Sequence, residues 1–198
     1  FGIGGTGSRV IRSLVNLMAS GVKMDMDEVV PIIIDPDKAN GDLNRTIELI
    51  DTYQKIFNDT TTHESGEFFS TKIASLGEVV SRQANAQNIV NGFRFEIDGV
   101  QNDMFKDFID FQRLPNQGLK DLTELLFSKE NLDSDLAVGF RGNPNMGSVV
   151  LNQFMRSDII ETFARSVEKD DKIFVISSIF GGTGAAGFPL LVKNFRSG

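Results

Sequence analysis

Apolar positions along the chain alternate between two periods, and the change from one to the other marks the elements. Val10, Ile11, Leu14, Val15, Leu17 and Met18 recur at the spacing of one helical face, and Gly21 stands where a C-terminal stop is expected. "EVVPIIID" (28–35) is continuous and β-branched, which predicts a buried strand ending at Asp35. "TIELIDTYQKIF" and "LKDLTELLF" return to helical spacing, and "NGFRFEIDG" reads as a short strand between turns. Val150, Leu151, Phe154, Met155, Ile159, Ile160, Phe163 and Val167 keep the helical period again. "KIFVISSIF" (172–180) predicts a last strand, "GGTGAAG" a loop, and "FPLLVKNF" the start of a helix with Pro189 in its first turns.

Strand, loop, helix and strand in succession predict a parallel α/β sheet. The stretch of about 46–134 is less regular and reads as an inserted segment of mixed α/β structure. Phe1–Ile3 read as the end of a strand, so the chain is expected to be an excised part of a longer protein.

Glycine gathers where strands give way to helices. "FGIGGTGSRV" opens the chain, "LAVGFRGNPNMGS" occupies 136–148, and "FGGTGAAGFP" occupies 180–189. Gly2, Gly4 and Gly7 satisfy G-x-G-x-x-G, in which glycines permit a tight turn and close approach to a phosphate, while helix N-terminal amides attract the negative charge. One such loop alone is more often only a strand-to-helix turn; three within one α/β sheet are expected to converge at one sheet edge, where such folds bind ligands. Asp35 and Asp37 fit three roles: a ribose acceptor, a holder of hydrated Mg²⁺ beside a phosphate, or plain turn chemistry after a strand.

Composition removes competing chemistries. The 198 residues are 40% hydrophobic, enough for a core, and the net charge of -7 provides no sequence-wide basic field for nucleic acid or anionic lipid. Without cysteine there are no disulfides, thiol nucleophiles or thiolate metal sites, which suits a cytoplasmic location. The single histidine, His63, sits in a polar stretch and reads as a solvated loop residue; with it alone, zinc catalysis and Ser-His chemistry lack support. No Walker-type P-loop is present, and 17 Phe against one Tyr and no Trp point to core packing. No apolar stretch approaches the ~20 residues of a membrane span.

The order of the loops resembles the nucleotide-binding half of the tubulin/FtsZ family. "GIGGTGSRV" looks like its first glycine loop, "IIDPDKAN" like the acidic loop after the second strand, "GFRGNPNMG" like the FtsZ loop with a Gly-Asn-Pro core, and "FGGTGAAGFP" like the glycine-rich signature. The resemblance covers about 1–45 and 136–198. It implies a Rossmann-like three-layer α/β/α domain over 1–198 with a mostly parallel sheet, incomplete at both ends, binding GTP or GDP with Mg²⁺. Gly4, Gly5, Thr6 and Gly7 would contact phosphates, Asp37 would lie near the metal, Gly142 and Asn143 near the terminal phosphate, and Gly181, Gly182, Thr183 and Gly184 around the phosphates. Self-association of the complete protein, with GTPase activity possible only there, is also implied.

Phe180 and Ala186 replace glycines of the signature, and Arg9 stands where FtsZ has asparagine, where it could add a phosphate contact or point to solvent. The alternatives are a Rossmann-type NAD-binding domain, an adenylating enzyme resembled loosely by "GIGGTGS" with "DPDKANGDLNR", and a scaffold module that holds no nucleotide.

Overall fold

The computed structural model describes residues 1–60, 67–82, 92–95, 97, 99–100, 103–154, 163–164 and 166–197. His63 and the helical pattern over 155–162 lie outside them. The first strand, β1 (Gly2–Ile3), runs directly into α1 (Gly4–Ala19), whose Ile11, Val15 and Met18 form the buried stripe. Gly21 has φ +79°, the left-handed geometry of a C-terminal stop.

The run 28–35 is not one strand. It divides into β2 (Glu28–Val29) and β3 (Ile33–Ile34), with Pro31 between them. Proline has no N–H for a ladder, so pairing stops there and the two halves take different partners. β2 pairs in parallel with β4 (Lys72–Ile73), while β3 lies between β1 and β5 (Arg94–Phe95), also in parallel. The segment 46–134 thus contributes a strand to the same sheet as the opening glycine loop.

The run 172–180 lies along the other side of β1. It makes one parallel bridge, Gly2 with Ile176, in which Ile176 N–H donates to Phe1 O and Ile3 N–H donates to Ile176 O, both at 2.8 Å. Among the described residues the expected strand is therefore reduced to a single bridge, and Phe174 is 62% exposed. The spatial order is the Ile176 run, β1, β3, β5.

Successive residues of β3 point to opposite faces, which separates two apolar clusters. Ile33 packs with Ile11, Val15 and Met18 of α1 and with Leu43, Ile50 and Tyr53 of α2 (Gly41–Asp59). Ile32 and Ile34 join Ile3, Phe95 and residues of the later helices, α7 (Pro144–Phe154) and α8 (Gly182–Ser197). Between these lie α3 (Leu76–Ser81), α4 (Phe105–Phe108), α5 (Gln117–Leu126) and α6 (Lys129–Leu132). α3 begins with a reciprocal cap: Glu78 N–H donates to Ser75 Oγ, and Ser75 N–H donates to Glu78 Oε2.

Both GGTG sequences are helical first turns rather than free loops. α8 starts at Gly182, so Pro189 falls in its interior instead of its first turns. α7 and α8 pack where glycine meets alanine. A methyl built on Gly147 would lie 2.7 Å from Ala186 Cβ and 2.7 Å from the Phe140 ring. Ala186, which departs from the glycine-rich signature, is fully buried and fills the space that Gly147 leaves.

This contact should behave as a complementary pair. Gly147→Ala is expected to destabilise the fold by about 1–3 kcal/mol through overpacking. Ala186→Gly should cost about 1 kcal/mol in the wild type, from helix propensity, and less in the Gly147→Ala background. Urea denaturation of the four proteins checks this; strict additivity would mean that the two residues do not share one space.

Candidate functional site

Four chain segments meet at the carboxyl ends of β1 and β3 and of the Ile176 run. The turn from β1 into α1 needs φ +67° at Gly4, a conformation only glycine adopts cheaply. A methyl on Gly4 would lie 3.4 Å from Thr183 Cβ, and one on Gly5 would lie 3.2 Å from Asn40 Nδ2. One on Gly139 would lie 3.9 Å from Thr183 Oγ1 and 4.0 Å from Pro36, and one on Gly182 would lie 3.0 and 3.1 Å from the amide nitrogens of Gly142 and Asn143. The first glycine loop, the acidic loop, the Gly-Asn-Pro loop and the second glycine loop are therefore contiguous, each beside the start of a helix.

The electrostatics of this meeting point are set by backbone. First-turn amides have no acceptor within their own helix, and the N-cap residue of α1, Ile3, provides no side-chain oxygen. No acidic residue occupies the first turn of α1, α7 or α8. Only α2 carries one there, Asp42, with Asn40 as its N-cap accepting from Asp42 N–H at 2.9 Å. Positive helix ends thus gather with little negative charge of their own.

The glycines divide into two uses. Gly4, itself buried, and the half-buried Gly5 and Thr6 lie at the meeting point, whereas Gly7 packs against the strand: a methyl on it would lie 2.5 Å from Gly2 C and 3.0 Å from Ile176 O. Gly184 is likewise packed, against Ser178 O by the same measure, and the Ser177 hydroxyl donates to Gly184 O at 2.8 Å. Gly181 is exposed and has open space around it. Gly142 has φ +79° and open space, and the residue before it, Arg141, is also left-handed at φ +43°. Asn143, half-buried, opens the approach to α7. Phe180 is 92% exposed beside the second loop.

The two aspartates differ. Asp35 is buried and turned into the protein: its Oδ1 accepts from Asp37 N–H at 3.1 Å and its Oδ2 from the Asn40 amide at 2.9 Å. Arg94 braces the same turn, donating to Asp35 O at 2.9 Å. Burial pushes the Asp35 carboxyl up to about 6, against the lowering effect of the Asp37 and Asn40 donors. Asp37 is half-buried, and its carboxylate accepts from Ala39 N–H at 2.9 Å. Among the described residues no group of three or more His, Cys, Asp or Glu gathers to hold a metal. A hydrated Mg²⁺, were one bound here, would have Asp37 as the protein's contribution.

Arg9 does not simply point to solvent: it bridges α2 and the first glycine loop. Its Nη1 lies 2.8 Å from Asp42 Oδ2 and its Nη2 donates to Thr6 Oγ1 at 3.2 Å. Three participants escaped the sequence reading. Asn40 had a local signal, an asparagine one residue before a helical pattern; Asp42 and Arg94 had none, because their partners are distant in sequence.

No family model, no curated protein and no solved structure matches the chain. Among the described residues no helix is long and apolar enough to cross a membrane.

The buried carboxyl gives a signed pH test. Since its folded value lies above its ordinary 3.8, the folded state holds a proton that the unfolded state releases, so this group makes stability fall as pH rises from about 4 to 6. Asp35→Asn should remove that fall. Its stability relative to wild type, from urea midpoints, is expected to grow by on the order of 2 kcal/mol between pH 4 and pH 7. An unchanged difference across that range would show that Asp35 titrates as an ordinary carboxyl.

Proposed function

We propose that the chain is the guanine-nucleotide-binding domain of a tubulin/FtsZ-like protein, with a Rossmann-like three-layer arrangement, and that it supports nucleotide-dependent self-association of the complete protein. The observation that carries the reading is the contact among four loops at helix starts, in the order in which the resemblance expects them. The strand order supports it as well. The two GGTG turns follow neighbouring strands, β1 and the Ile176 run, from which the chain continues to opposite sides; open α/β sheets bind ligands at such a switch point.

In this reading the amides of Gly4, Gly5 and Thr6 and those around Gly181–Thr183 donate to phosphate oxygens, and Gly142 and Asn143 close over the terminal phosphate. Gly7 and Gly184 serve indirectly, by letting backbone approach backbone. Asp35 acts behind the surface, fixing the turn that presents Asp37 and Asn40. Mg²⁺, when bound, would neutralise phosphate charge beside Asp37. The guanine preference comes from the resemblance alone.

Calorimetric titration of the full-length protein tests this. GTP and GDP are expected to bind saturably, with ATP and NAD much weaker. Gly182→Ala places a methyl within 3.0 Å of the Gly142 amide nitrogen, so it should spread the two loops and weaken GTP about tenfold while the circular dichroism is kept. Preference for an adenine nucleotide would overturn the guanine assignment, and no binding of any nucleotide would overturn the reading.

A further inference from the structure

Asp42, near the start of α2, holds two arginines of α1, one on each carboxylate oxygen. Arg9 Nη1 lies 2.8 Å from Oδ2, and Arg12 Nη1 lies 3.2 Å from Oδ1. Arg9 is the outer of the two, with 53% of its side chain exposed against 28% for Arg12. Its second nitrogen reaches Thr6 Oγ1, and Nη1 would be 4.0 Å from a methyl on Gly5, so the guanidinium stands over the first turn of α1. An exposed pair of this kind is weak and is left at little cost. Two cations also share one carboxylate, so if Arg9 departs, Asp42 retains Arg12.

We propose that Arg9 is a transferable anion-capturing residue, which leaves Asp42 for a ligand phosphate at Gly5–Thr6 while Arg12 stays behind as the counter-ion of Asp42. The handover rests on the nucleotide reading above and adds to it a mobile cation and a standby partner. Guanidinium suits the role, because its fork can bond a phosphate at two oxygens where the exchanged carboxylate bond used one. Arg12 then has a function without touching ligand: it lowers the hold of Asp42 on Arg9.

The test is calorimetric affinity of the full-length protein for tripolyphosphate and for GTP at fixed ionic strength. Wild type, Arg9→Ala, Arg12→Gln and the double variant are compared, with thermal melts to check folding. Arg9→Ala should weaken both ligands about tenfold, the scale of one lost charge-assisted bond. Arg12→Gln should weaken them several-fold in the wild type, because Asp42 then holds Arg9 alone, and the loss should vanish in the Arg9→Ala background. Arg9→Lys, which keeps charge but not the fork, should fall between and serves if the alanine variant does not fold. Wild-type affinity in both Arg9 variants, or an equal loss from Arg12→Gln in both backgrounds, overturns the handover and leaves the nucleotide reading standing. A wild type that binds neither tripolyphosphate nor any nucleotide overturns both.

Discussion

The close seating of α1 on β1 is the constraint from which the rest of the arrangement follows. At Gly7 there is no room for a side chain, since even a methyl would overlap the backbone of Gly2 and approach Ile176 O at 3.0 Å. The helix can therefore begin immediately after the strand, with Gly4 making the reversal in a left-handed conformation. Its first turn is carried over the sheet edge, beside Thr183 of α8 on one side and Asn40 on the other. A larger residue at position 7 would move α1 away from the strand and separate those contacts together.

A second consequence is electrostatic. Beginning several helices at one sheet edge brings like partial charges together, which costs energy unless something negative compensates. Asp42 compensates at α2, but it is shared with Arg9 and Arg12 and does not reach far. Asp35 sits close by, yet its carboxyl is pushed up by burial and its oxygens serve Asp37 and Asn40. The first turns of the helices after the three glycine-rich loops carry no acidic residue, which is the chemical basis for proposing a polyanionic ligand.

Much of this was legible beforehand because it depends on local geometry. The stripe Ile11, Val15 and Met18 was visible in its period, as were α2 and α5, and the order of the loops was visible in glycine and proline placement. Where one residue overrides its neighbours, periodicity misleads. "EVVPIIID" looks continuous to a hydropathy pattern, but the missing N–H of Pro31 lets its halves join different sheets. "KIFVISSIF" looks like a full strand, but among the described residues only Ile176 makes a sheet bridge, and Ile173, Phe174, Ile179 and Phe180 stay exposed.

Residue type alone sets where the backbone can turn and where amides are left without acceptors, because those properties belong to glycine, proline and helix starts. The tertiary structure decided which glycines are packing and which face the site, that Asp35 braces the turn from within, and that Arg9 rests on Asp42. Each of these depends on a partner distant along the chain, and neither period nor spacing carries distances between such residues. They are set when α1 and α2 pack on one side of β3, and α7 and α8 with the other.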